Sequence, residues 1–141
     1  MLAAILGAAA LAPATFAPAP GWHVGAENGT TWAATTRWRD CRAFCLPHRT
    51  VTALPYDGIA LQLHLAHGRG PKWERPLRWP PKLTPRAGLE GLPSRIAVVQ
   101  KLGRLHGYEA YLFVFFGRPR PTERQLARAR AELATLRFHA G

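Results

Sequence analysis

Serine is almost missing from this chain of 141 residues, Ser94 being the single example, and methionine (Met1) and cysteine (Cys41 and Cys45) are nearly as rare. Acidic residues number eight against nineteen basic ones, and no apolar run approaches the ~20 residues that cross a bilayer as a helix. Each shortage argues against a class of function. Ser94 follows Gly91-Leu92-Pro93 and lacks the strained Gly-x-Ser-x-Gly elbow, which speaks against a serine hydrolase. Among the carboxylates, Asp57 belongs to a turn, and Glu123 and Glu132 belong to a helix. Glu27, Asp40, Glu74, Glu90 and Glu109 remain, with no visible pair for general acid–base work, and Glu109 reads as a charge at a strand end. No glycine-rich phosphate loop or dinucleotide fingerprint is present, and the Cys-x-x-Cys-His of haem attachment is absent.

What is abundant is positive charge. The formal net charge is +11, carried by sixteen arginines and three lysines spread from Arg37 to Arg137. Summed charge of this kind attracts polyanions over a range set by salt. The dispersal also fits a generally solvated basic surface, and the Ala, Gly, Pro and Arg richness fits GC-rich coding. Residues 1–20 carry no charged side chain, and their apolar stretch from Leu2 to Leu11 has the length of a secretory signal core. Ala12-Pro13-Ala14, or the stretch ending at Ala17, is the expected cleavage region, although no Lys or Arg precedes the apolar run. A disordered tail is the alternative for residues 1–20, and residues 21–141 read as a single globular domain.

Asn28-Gly29 between β-forming residues is a two-residue hairpin turn, and a strand over 30–38 places Trp32, Ala34, Thr36 and Trp38 on one face. Asn28-Gly29-Thr30 also matches a glycosylation acceptor, a match the turn already explains. Pro55 and Asp57-Gly58 predict a turn between two short strands. In the second of these, Ile59, Leu61, Leu63 and Leu65 form a buried face, and Ala60, Gln62, His64 and Ala66 a wetter one. His64 and His67 point to opposite sides of a regular strand, so they read as surface histidines and not as a chelating pair. Six prolines between 71 and 93 forbid a regular helix or central strand, which leaves a basic proline-rich loop over 69–93. Strands over 95–101 and 108–116 follow, with the turn between Gly103 and Gly107, and the second strand is apolar on both faces. The pattern after Pro121 is a helix: Thr122 and Gln125 form a capping box, and Leu126, Ala129, Leu133 and Leu136 share a face. The expected class is α+β, an antiparallel sheet of five or six strands built from hairpins, with one C-terminal amphipathic helix packed on it. A β-sandwich with the helix appended is the alternative.

Cys41-x-x-x-Cys45 with His48 three residues on admits several readings. Two neighbouring cysteines in an exported protein pair as a disulfide. Thiolates with an imidazole suit copper or zinc, with Cys41, Cys45 and His48 as ligands. The spacing resembles the Cys-x-x-x-Cys of exported copper chaperones and of the dinuclear copper domain of cytochrome oxidase. The oxidase pattern, however, places its histidine one position later and a methionine beyond it, and the only methionine here is Met1. Thiol exchange is the third reading, with Arg39 and Arg42 favouring a thiolate, and a pair of free thiols is the fourth.

The second candidate site is Lys72, Trp73, Arg75, Arg78, Trp79 and Lys82, where aromatic faces alternate with cations and can stack on a ligand while the charges meet its anions. Alternatively, the two tryptophans pin the loop to the sheet. The sequence therefore predicts a small exported, extracytoplasmic protein, secreted or in the cell envelope, that binds or scaffolds at an anionic polymer or lipid surface. Catalysis and cofactors are not expected, nor is nucleic acid as partner, since that conflicts with export. The alternative is an extracytoplasmic copper, zinc or thiol-redox protein built on Cys41, Cys45 and His48.

Overall fold

The computed structural model describes residues 12–40, 44–68 and 75–139. In chain order the elements are β1 (Ala14–Thr15), β2 (His23–Glu27), β3 (Thr30–Ala34), α1 (His48–Thr52), β4 (Ile59–Ala66), β5 (Arg86–Ala87), β6 (Ala97–Leu105), β7 (Tyr108–Phe116), α2 (Glu123–Leu133) and β8 (Arg137–Phe138). Six strands form one antiparallel sheet in the order β2-β3-β4-β7-β6-β5, and β1 pairs with β8 in a separate two-stranded ribbon. With its single C-terminal helix the chain is an α+β fold. The β-sandwich alternative does not apply, because every described strand outside the small ribbon belongs to one sheet.

β7 lies inside the sheet because both of its faces are apolar. Ala110, Leu112, Val114 and Phe116 align with Leu65, Leu63, Leu61 and Ile59 of β4, and Val114 also faces Val99 of β6. This face forms the larger core with Ala129 and Leu133 of α2 and with Ala14 and Phe16 from the N-terminal side. On the opposite face, Phe115 lies between Ala60 and Val98 and packs with Ala34, Val51, Leu54 and Ile96 in a second core. Burying each large apolar side chain contributes roughly 1.5–3 kcal/mol, so both layers are needed to stabilise the sheet.

The turn chemistry is direct. Asn28 (φ 50°) and Gly29 (φ 81°) close the β2–β3 hairpin, and His106 (φ 50°) and Gly107 (φ 85°) close β6–β7 with the same left-handed pair. The second turn is tighter than the sequence predicts, since β6 continues to Leu105 and takes Gly103 into the strand. A Cβ on Gly103 would stand 2.8 Å from the Arg75 carbonyl oxygen and 3.1 Å from Leu77 Cβ. The glycine therefore admits the 75–77 segment, which docks when Arg104 N–H donates to Arg75 O (2.7 Å) and Leu77 N–H donates to Arg104 O (2.8 Å).

Three further expectations change. The expected strand before Pro55 is helix α1, because the Asp40 carboxylate accepts from Arg49 N–H (3.1 Å) and Thr50 N–H (2.6 Å) and so satisfies the open end of that helix. β3 stops at Ala34, four residues early, although Trp32 and Trp38 still stack on one side at 5.3 Å and 16°. The wetter face of β4 is largely covered: Ala60 and Gln62 are fully buried and His64 is half-buried.

Residues 12–20 are not a tail apart from the domain. Ala12, Ala14 and Phe16 are buried, β1 pairs with β8, Ala17 N–H donates to Thr135 Oγ1 (3.0 Å), and His139 N–H donates to Pro13 O (2.9 Å). The structured domain thus extends N-terminally of residue 21, while residues 1–11 of the expected signal segment lie outside the described residues. We expect Phe16→Ala to destabilise the fold by about 3 kcal/mol through the cavity it leaves, read by urea unfolding. A chain begun at residue 18 loses β1 and Phe16 together, and should unfold at lower urea than one begun at residue 12.

Candidate functional site

From Arg75 onward the proline-rich segment runs as an anchored strap. Leu77, Trp79 and Leu83 turn inward against the main core, while Arg75, Arg78 and Lys82 are exposed. Trp79 donates its indole N–H to Leu133 O at 2.7 Å, and Arg130 Nε donates to Pro81 O at 3.3 Å, so α2 holds the middle of the strap. Of the six residues expected in the basic site, the structure therefore sets Arg75, Arg78 and Lys82 on the outer side and makes Trp79 an anchor. Lys72 and Trp73 lie outside the described residues. The Leu77 backbone and the Trp79 side chain thus hold the segment that carries the three cations.

The cysteine loop covers the other face of the sheet. Cys41 lies outside the described residues, Cys45 is half-buried, and no free cysteine occurs among the described residues. The Cys45 carbonyl accepts from Gln62 Nε2 at 2.8 Å, and the neighbouring Phe44 ring sits 4.6 Å from His64 and 5.5 Å from Tyr111. His48 is exposed at the first position of α1. Among the described residues, no group of three or more His, Cys, Asp or Glu side chains is placed to hold a metal ion.

His64 lies under this loop with Nδ1 3.1 Å from Thr30 Oγ1, and burial holds its pKa below the ordinary 6.5. Beneath the same loop, Gln62 Oε1 is buried without a hydrogen-bond partner.

Glu132 belongs to the helix, as its sequence context predicts, but it is drawn into the interior. It is only 2% exposed, and its Oε2 has no hydrogen-bond partner. Burial pushes its carboxyl up from the ordinary 4.5 to about 7, against the opposing pull of the Arg128 guanidinium. The signal was available in the periodicity, because 132 falls beside Ala129, Leu133 and Leu136 on the inward stripe.

No family model, no curated protein and no solved structure matches this chain.

Because the folded Glu132 binds its proton more tightly than the unfolded chain does, its contribution is fully present below pH 4.5 and is lost as pH rises to about 7. Burial of His64 acts in the opposite sense below pH 6.5, so the effect is best read as the difference between wild type and Glu132→Gln. That difference should move in favour of the Gln variant as pH rises from 4.5 to 8, measured by urea unfolding at each pH.

Proposed function

We propose that this is a small exported, non-catalytic protein that binds or scaffolds at an anionic cell-envelope surface through the outward cations of the 75–82 strap. The observation that carries this reading is the division of labour within the strap: Leu77, Trp79 and Leu83 hold it to the core while Arg75, Arg78 and Lys82 stay exposed. A fixed row of cations on a chain of net charge +11 meets a polyanion by displacing its counterions, which makes attachment strongly salt-dependent. Lys72 and Trp73, next along the same segment, extend the row in sequence. Export is supported by the uncharged, aliphatic composition of residues 1–11.

The same environment bears on the cysteines. We read Cys41 and Cys45 as one disulfide, which fits an oxidising compartment and the lack of a free cysteine among the described residues. The alternative of a copper, zinc or thiol-redox centre on Cys41, Cys45 and His48 requires both thiols to be recoverable.

Two measurements test these readings. Retention of the folded protein on an anionic envelope polymer or lipid should fall steeply between about 0.05 and 0.5 M salt. The triple variant Arg75→Gln, Arg78→Gln, Lys82→Gln should show a shallower salt dependence, and retention indifferent to salt would remove the proposal. Protein purified without reductant should gain the mass of two hydrogens on reduction and carry no metal; thiols that titrate before reduction would favour the alternative.

A further inference from the structure

A second cationic feature lies away from the strap, where the chain leaves β7 and enters α2. Arg118, Arg124 and Arg128 line one open cleft of about 530 Å³ together with Asp57, Thr122 and Gln125. The neutral members are already engaged. Thr122 Oγ1 accepts from Gln125 N–H, Gln125 Oε1 accepts from Thr122 N–H (both 3.1 Å), and Gln125 Nε2 reaches Tyr56 O at 3.4 Å. The donors left facing the cleft are guanidinium groups, three against the one carboxylate of Asp57.

Two of these guanidiniums are pre-oriented. Arg118 lies over the Tyr56 ring at 4.2 Å and donates Nε to Tyr56 O at 3.2 Å, which leaves its terminal amino groups uncommitted. Arg128 lies over the Trp22 ring at 5.4 Å. Stacking occupies the faces of a guanidinium and leaves its in-plane N–H donors, the ones that match tetrahedral oxyanions in a fork. Arg124, one turn before Arg128 on α2, is exposed and adds a third fork from the same side of the helix.

We infer that the Arg118–Arg124–Arg128 cleft is a discrete binding site for a phosphoryl group. Its open volume admits a phosphate and part of whatever carries it, while Asp57 in its lining disfavours extended polyanions of uniform charge. The phosphoryl group can belong to a lipid headgroup or to a soluble phosphate, and both present the same oxygens. The site shares no residue with the strap, so each stands or falls alone.

The test follows arginine Nε–Hε NMR signals of the full chain through a titration with inorganic phosphate, with acetate as the control anion. Saturable shifts confined to Arg118, Arg124 and Arg128 are expected, with a weaker response to acetate. Arg124→Gln, which removes a solvent-exposed side chain, and Arg118→Gln should each weaken phosphate binding roughly tenfold, while Arg75→Gln with Arg78→Gln should leave it unchanged. Vesicles with and without phosphatidylglycerol separate the sources: loss of vesicle binding in the cleft variants identifies a lipid headgroup, and unaltered vesicle binding alongside lost phosphate binding identifies a soluble phosphate. Shifts that spread over all arginines without saturating, or cleft variants that bind phosphate as the wild type does, overturn the inference. Neither result touches the salt dependence of the strap, so the two proposals fail separately.

Discussion

A strand that is apolar on both sides cannot be left with one face in water, and β7 imposes that condition on everything around it. Phe116, Val114 and Leu112 demand a layer on one side, supplied by α2 and the N-terminal residues Ala14 and Phe16. Phe115 and Phe113 demand another, supplied by Val51 and Leu54 around α1 and by Leu89, Leu92 and Ile96. Segments with little regular structure of their own are therefore recruited as covers, and their polar groups find partners in the process. The Cys45 carbonyl on Gln62 and the Trp79 indole on Leu133 are two such matches.

The covering role also organises the surface chemistry. A segment held inward at Leu77, Trp79 and Leu83 turns other residues out, and in 75–83 the exposed ones are Arg75, Pro76, Arg78 and Lys82. Burial of Leu77, Trp79 and Leu83 thus fixes where Arg75, Arg78 and Lys82 stand, and the charge display follows from the packing. On α2 the same division holds, with Ala129 and Leu133 inward and Arg124 and Arg128 outward. Glu132 breaks it, as the one acid of α2 drawn inside.

Much of the fold was legible because its signals are local. The Asn28-Gly29 turn needs only its two central residues, the Thr122–Gln125 capping box spans one helical turn, and the two-sided apolarity of β7 is a count along nine residues. What escaped the sequence depends on distant partners. Thr50-Val51-Thr52 carries β-branched residues and reads as strand, yet folds as helix because Asp40 reaches its open amides. Gly103 reads as a turn residue, yet lies within β6 paired with Ala110, where its missing side chain leaves room for Arg75 and Leu77. Ala12 to Phe16 reads as a leader, yet is held by residues 135–139. Of the basic site, the outward cations were legible as composition, whereas the anchoring role of Trp79 required the position of the α2 carbonyl at Leu133.

The pairing of β1 with β8 joins segments 124 residues apart at Thr15 and His139. A polypeptide emerging from the ribosome cannot make that junction until its last strand has appeared. Until then Ala14 and Phe16 lack the cover that residues 135–139 help supply. Closure of the β1–β8 ribbon consequently waits for the end of synthesis, whatever the rest of the sheet has done by then.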